Sequence, residues 1–286
     1  QMCIRDSIWK FITLAYIPPT IAGIVLAYRG KLLAGGILTA LFIALQIMSN
    51  HVQMSYYFLF VILFIVGAYF EDAWRNKTLP KFFKASAVVF VAALIGVAAN
   101  LSNLYHTYTY SKETMRGKSE LVETGDAAKQ TSSGLDRDYI TNWSYGIGET
   151  WTLLVPNFKG GSSSAPLSQS ETAMEKANPV YSSLYNSFPQ YFGDQPWTAG
   201  PVYVGSFVLF LFVLGCFIVK GPLKWALLGA TFFSIVLAWG KNFMPLTDFF
   251  IDYIPMYNKF RAVSSILVIA EFTIPLLAIF ALKRVL

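Results

Sequence analysis

The chain has 286 residues, of which 55% are hydrophobic, 16% aromatic and only 13% charged, with a mean hydropathy of +0.49. That balance excludes an ordinary soluble domain and points to lipid as the solvent for much of the polypeptide. The formal net charge of +6 comes without a Lys/Arg-rich run or a basic helix, so it does not indicate a nucleic-acid partner.

Residues 1–7 fit nothing downstream and read as an adapter scar, with the natural N-terminus expected upstream. Cys3 falls in that stretch and Cys216 within an apolar run, so neither a disulfide framework nor a cysteine metal site is supported. From Ile8 onward, seven segments have the roughly 17 to 20 apolar residues that a helix needs to cross a hydrocarbon core. They are Ile8–Ala27, Leu32–Ser49, Met54–Phe70, Ala85–Leu101, Pro201–Val219, Leu223–Gly240 and Ala262–Leu282. The expected fold is an all-α polytopic membrane protein. Residues 8–101 carry four transmembrane helices, 102–200 form a large mixed loop insert, and 201–286 carry three more.

Sidedness follows from Lys and Arg in the connections, which resist translocation. One set of loops and ends holds Arg29 and Lys31, then Arg75, Lys77, Lys81 and Lys84, then Lys220 and Lys224, then Lys283 and Arg284. These ten residues mark the cytoplasmic side of a bacterial inner membrane, including the C-terminus. The insert, with ten acidic and seven basic residues, is then extracytoplasmic. Its Lys159–Ala177 stretch reads as a flexible Gly/Ser linker, whereas 136–158 mixes aromatic residues with Gly146 and Gly148. Near 245–255, Leu246, Phe249, Phe250 and Ile254 recur at helical spacing opposite Asp248 and Asp252, as in an amphipathic helix lying in the interface.

Several residues have the chemistry of a site. His51 and Gln53 lie at a span end beside Asn50, Tyr56 and Tyr57, where they either bind a lipid phosphate or sugar or form a polar helix junction. In the insert, Asp136, Arg137, Asp138 and Glu149 with Trp143 and Trp151 have the aromatic-plus-carboxylate mixture that holds sugars; local salt bridges and core tryptophans account for it equally well. Asp248 and Asp252, four apart on one helix face, are the candidates for a divalent cation, against a solvated polar face. Lys259 and Arg261 flank Phe260 on the side that disfavours cations, where Arg261 offers a planar fork to phosphate and simple headgroup anchoring is the plain alternative. Glu271 is the carboxylate well inside a span, which requires either a functional partner or cavity, or a hydrogen bond across helices.

Several longer stretches carry a resemblance. They include Trp9-Lys10-Phe-Ile-Thr-Leu-Ala-Tyr-Ile-Pro-Pro19, Asn50-His-Val-Gln-Met-Ser-Tyr-Tyr57, and the run from Gly134 through Asp136-Arg-Asp-Tyr-Ile-Thr-Asn-Trp143 to Gly146-Ile-Gly-Glu-Thr150. Leu26-Ala-Tyr-Arg-Gly-Lys31, Val155-Pro-Asn-Phe-Lys-Gly-Gly161, Gly193-Asp-Gln-Pro196 and Met256-Tyr-Asn-Lys-Phe-Arg-Ala-Val-Ser264 complete the set. From Ile8 to its end the chain resembles the YfhO-like membrane proteins of the Bacteroidetes type, which are placed in the GT-C superfamily. The resemblance implies a glycosyltransferase that moves a sugar from a polyprenyl-phosphate carrier to an envelope glycan or lipid acceptor outside the cytoplasm. It also implies a catalytic acidic residue in a first extracytoplasmic loop, upstream of this sequence, so that the chain by itself is expected to be an inactive fragment. His51, Gln53, Arg261 and Glu271 match positions of the family. The alternatives are a lipid or glycan transporter that uses Glu271 and a first span broken at Pro18-Pro19, and a noncatalytic scaffold for envelope assembly.

Overall fold

The computed structural model describes residues 2–114 and 135–286, and side chains from residue 8 onward within those ranges. Gln1, the Cys3 side chain and the part of the insert at 115–134 lie outside the described residues. The described chain is helical, with no named strand. It divides into two compact units, Gln1–Val122 with Lys220–Thr231, and Glu123–Val219 with Phe232–Leu286.

The first unit contains α1 (Met2–Ala15), α2 (Ile17–Tyr28), α3 (Leu32–Met48), α4 (Val52–Arg75), α5 (Leu79–Ala98) and α6 (Leu101–Lys112). Pro18 and Pro19 lie in the first turn of α2, where a missing N–H leaves no bond unmade, so they start a helix there instead of interrupting one. Packing of α2, α3 and α5 depends on small residues. A Cβ on Gly35 would lie 2.5 Å from the Ala27 nitrogen and 2.7 Å from the Gly23 oxygen, and one on Gly96 would lie 2.9 Å from the Ala40 oxygen. Such close backbone approach is how helices associate where lipid removes the hydrophobic drive between them. Gly35→Leu is therefore expected to separate α2 from α3 and to lower the melting temperature of the detergent-solubilised protein, at a cost of at least about 1–3 kcal/mol. A melt indistinguishable from the parent would show that the seam is not tight. Phe11, Leu33, Phe90 and Ile95 are left exposed on the helix surfaces, as lipid-facing side chains should be.

The second unit contains α7 (Arg137–Thr141), α8 (Glu171–Glu175), α9 (Ser206–Ile218), α11 (Met244–Tyr253) and α12 (Val268–Val285); α10 (Pro222–Ala238) begins in the first unit and ends in the second. α9 and α12 pack through Gly215, beside Leu277 and Ala281.

Several helices have the length and composition to cross a bilayer, as in a multi-pass membrane protein. Among the described residues four stretches qualify, Ile8–Tyr28, Val52–Arg75, Leu79–Ala98 and Val263–Val285, and α10 with α11 adds a fifth if that pair, bent by 105°, is one span. The expectation of seven is thus met in part, with Leu32–Met48 and Ser206–Ile218 shorter. α9 is short because Pro201–Gly205 is not helical: Gly205 takes φ +98° and the Tyr203 hydroxyl accepts from the Ser206 N–H at 2.9 Å. Its 13 residues rise roughly 20 Å, less than the roughly 30 Å of a bilayer core.

Two further differences concern the insert. Its first residues continue as the helix α6, whose exposed Tyr105, Tyr108 and Tyr110 show no apolar face. The stretch expected as a free linker is tied by backbone bonds instead. Phe192 donates to Lys159, Gln190 to Ala165, Leu167 to Phe188 and Ser163 to Thr198, all at 2.8–3.0 Å. Glycine and serine there permit close backbone approach, and the bonds go to the irregular segment 188–198.

Candidate functional site

The polar chemistry of the second unit is organised around Glu149, in the 3₁₀ turn Gly148–Leu153. Its side chain is buried, with 2% of the residue exposed. Oε2 accepts from the Gly146 N–H at 2.5 Å and the Asp194 N–H at 3.4 Å, while Oε1 accepts from the Tyr191 hydroxyl. The same tyrosine oxygen accepts from the Gln195 N–H at 2.9 Å. A buried carboxylate must be satisfied in this way, and here the donors come from the middle of the insert and from its last ten residues. Gly193 is required between them, because any Cβ there would overlap Glu149 Oε1 and the Tyr191 hydroxyl. Burial, and then donation to Glu149, raise the Tyr191 phenol above its ordinary range. The neighbouring Tyr145, 3% exposed, is pushed up to about 12 by burial first, with the charges of Glu149 and Glu271 adding to the rise. Both phenols thus remain protonated donors throughout the physiological range.

A second layer joins this loop to the turn after α10. Ser144 accepts at Oγ from the Lys241 N–H at 2.8 Å, and Asn242 Nδ2 donates to the Tyr145 oxygen at 3.0 Å and to Asp194 Oδ2 at 3.2 Å. Lys241 Nζ donates to the Asp194 backbone oxygen at 3.2 Å. Trp143 Nε1 donates to the Trp197 oxygen at 3.2 Å, and the Ser264 N–H donates to the Trp143 oxygen.

The sugar-binding group read from the sequence does not converge as one set. Asp136 caps α7, accepting from the Asp138 N–H at 2.7 Å, and Asp138 is exposed beside it in the first turn. Arg137 bridges both α11 carboxylates, Nη2 reaching Asp252 Oδ1 at 2.5 Å and Nη1 reaching Asp248 Oδ1. The hydrogen bond it donates to Asp252, with the two negative charges, raises the arginine's already high pKa. A guanidinium thus stands where the sequence reading placed a divalent cation, and among the described residues no three His, Cys, Asp or Glu side chains gather as a metal site. All three partners of this bridge are part-exposed, so it is worth about 1 kcal/mol at most. Only Glu149 and Trp143 of the set belong to the loop network.

The segment Met256–Ala262 is the most constrained stretch of backbone near the last span. Met256 and Ala262, at its two ends, take left-handed φ values of +67° and +59°, which side chains with a Cβ adopt at a cost of about 1–2 kcal/mol. Between them Tyr257 and Phe260 are buried, Lys259 is half-buried and Arg261 is exposed. Burial lowers the Lys259 pKa, and Arg261 Nη1 donates to the Tyr139 hydroxyl at 2.9 Å. Glu271 is exposed in the first turn of α12, since a 3₁₀ turn, Val263–Leu267, precedes the α-helix. The positive end of the helix dipole favours a carboxylate there.

His51 and Gln53 lie in the first unit, in a polar junction of helices. His51 Nδ1 caps α4, accepting from the Met54 N–H at 3.4 Å, and Gln53 Nε2 donates to the buried Tyr57 hydroxyl at 2.9 Å. Thr107 Oγ1 donates to Asn50 Oδ1 at 3.3 Å and Gln46 Nε2 to Ser55 Oγ at 3.1 Å, while the Thr13 and Ser49 hydroxyls share a bond. This geometry matches the structural alternative for the pair.

Sequence reasoning missed Tyr191, Asp194, Gln195, Trp197 and Asn242 as members of the network. The signal present was the Gly193-Asp-Gln-Pro196 run, whose glycine is the one that Glu149 requires. Comparison of the chain with protein-family models, with curated proteins and with solved structures finds no match.

Proposed function

We propose that this chain is part of a membrane glycosyltransferase that moves a sugar from a polyprenyl-phosphate carrier to an acceptor of the cell envelope, on the extracytoplasmic face of the inner membrane. The observation that carries this reading is the Met256–Ala262 loop. Backbone strain is retained at both of its ends, and the loop holds Lys259 and Arg261 at the mouth of an apolar span. Strain of that kind persists where the surroundings over-determine it, and it is frequent at ligand clamps. A lipid phosphate at the membrane surface needs this combination of a planar fork and a second cation above lipid-facing helices.

In the proposed reaction the acceptor hydroxyl oxygen forms a bond to the anomeric carbon, and its proton passes to a carboxylate base. The bond from the anomeric carbon to the phosphate oxygen breaks, and its electron pair stays with the polyprenyl phosphate. Arg261 and Lys259 match the charge that grows on that leaving group, which is where fixed cations accelerate a displacement most. No step passes through Asp248 and Asp252, whose carboxylates are engaged by Arg137. The resemblance of the sequence supports the same reaction class.

Labelling with a photoreactive polyprenyl-phosphate sugar tests the reading. In membranes containing the chain, label is expected on the peptide spanning 256–262 and is displaced by excess unreactive polyprenyl-phosphate sugar. Absence of label there, or label that the competitor does not displace, overturns the proposal.

A further inference from the structure

We infer that Trp197, Asp194, Gln195, Lys241 and Asn242 form a binding shelf for an uncharged carbohydrate. The backbone of the 193–198 segment is secured from several directions. The Asp194 N–H is held by Glu149, the Gln195 N–H by Tyr191, the Trp197 oxygen by the Trp143 indole, and the Thr198 N–H by Ser163 Oγ at 2.9 Å. Trp197 and Asp194 are nevertheless exposed, Trp197 to 52%, while Gln195 is half-buried. From the opposite loop, Lys241 and Asn242 reach the same residue, Asp194, and Gln195 Oε1 accepts from Ser264 Oγ at 3.3 Å.

The chemistry of this shelf selects a ligand class. An indole that served the core would be buried, and one that only anchored the chain at a bilayer surface would not need a carboxylate and two amides fixed in the same loop network. A pyranose has an apolar C–H face, which suits an exposed indole. It also has vicinal hydroxyls that each donate and accept, which suit a carboxylate, amides and an ammonium group already held in place. One carboxylate, Asp194, and one ammonium group, Lys241, leave the shelf formally neutral, and Lys241 Nζ is spent on the Asp194 backbone oxygen, so there is no surplus of cations for a phosphate. That separates it from the Lys259 and Arg261 loop. Assignment of the shelf as the acceptor's place rests on the transfer reaction proposed above, whereas the binding itself follows from the shelf alone.

The test uses the full chain in nanodiscs with neutral oligosaccharides of glucose, galactose, mannose or N-acetylglucosamine as probes, followed by saturation-transfer NMR and tryptophan fluorescence. At least one of these sugars is expected to receive saturation on its ring C–H protons and to shift the emission. Trp197→Ala is expected to weaken that binding at least about tenfold, and Asp194→Asn by about tenfold. Trp197→Phe is expected to restore part of it. The Trp143 link goes to the backbone of residue 197, so Trp197→Ala leaves the loop tied, and an unchanged melt verifies this. The inference is overturned if none of the sugars binds, or if Trp197→Ala binds as well as the parent. Sugar binding without displaceable donor labelling would sink the transferase reading and leave the shelf standing; donor labelling without sugar binding would do the reverse.

Discussion

Glu149→Ala is expected to release the insert from its frame, lowering the stability of the second unit by about 3 kcal/mol or more. The substitution leaves the Gly146 and Asp194 N–H groups and the Tyr191 hydroxyl without their buried acceptor. Each unsatisfied buried group costs about 1–3 kcal/mol, and the bonds lost are the stronger, charge-assisted kind. Glu149→Gln is expected to be much milder. Its oxygen can take both N–H groups while its amide donates to the tyrosine oxygen, so the charge and the acceptor of the Tyr191 proton are lost but both backbone N–H groups stay satisfied. Limited proteolysis and thermal melting of the purified protein measure the difference, with cleavage within 143–202 expected to accelerate in the alanine variant. If the alanine and glutamine variants melt together with the parent, Glu149 does not hold the insert.

Arg261→Ala is expected to weaken capture of the polyprenyl-phosphate donor by about 10- to 100-fold, the loss appropriate to a charged, two-pronged hydrogen bond to phosphate. In an active preparation, transfer is expected to fall by about 100- to 1,000-fold, because the guanidinium is asked to stabilise charge that develops only as the phosphate leaves. Arg261→Lys keeps the charge without the fork and is expected to recover only part of the loss. The Tyr139 hydroxyl, which accepts from Nη1, orients the guanidinium. Tyr139→Phe therefore serves as a control that leaves the charge in place and is expected to have a smaller effect than Arg261→Ala. Competition photolabelling and transfer of labelled sugar are the measurements. Full labelling and turnover in Arg261→Ala would remove the residue from the donor site.

The membrane helices were legible to the degree that they depend on composition alone. Val52–Arg75 and Leu79–Ala98 are apolar runs of sufficient length, and nothing distant is needed to make them helical in lipid. The run at Pro201–Val219 misled, because composition cannot distinguish an extended lead-in, Pro201–Gly205, from the first turns of a helix. α6 was missed for the opposite reason, since its tyrosines and polar residues show no periodic apolar face. The spacing at 245–255 coincides with α11, but of the expected apolar face only Phe250 is buried, with Thr247 and Ile251, while Phe249 is exposed.

The candidate sites divide in the same way. Arg261 and Lys259 stood out because the orientation expected from the loop charges puts them on the side that disfavours cations. The partners of Glu149 and Arg137 were not visible, because Tyr191 lies 42 residues from Glu149 and Asp248 lies 111 residues from Arg137.

By itself, then, the sequence determined that lipid surrounds much of this polypeptide, roughly where its helices run, and which residue types are out of place for a membrane protein. These properties follow from local transfer free energies summed along a window. Only the tertiary structure decided that Asp248 and Asp252 face a guanidinium and that Glu149 is a buried organiser. Only there does Trp197 become an exposed indole on the loop segment that Glu149 and Tyr191 hold by its backbone. A carboxylate's role is set by the donors that reach it, and here those donors arrive from segments that chain order keeps far apart.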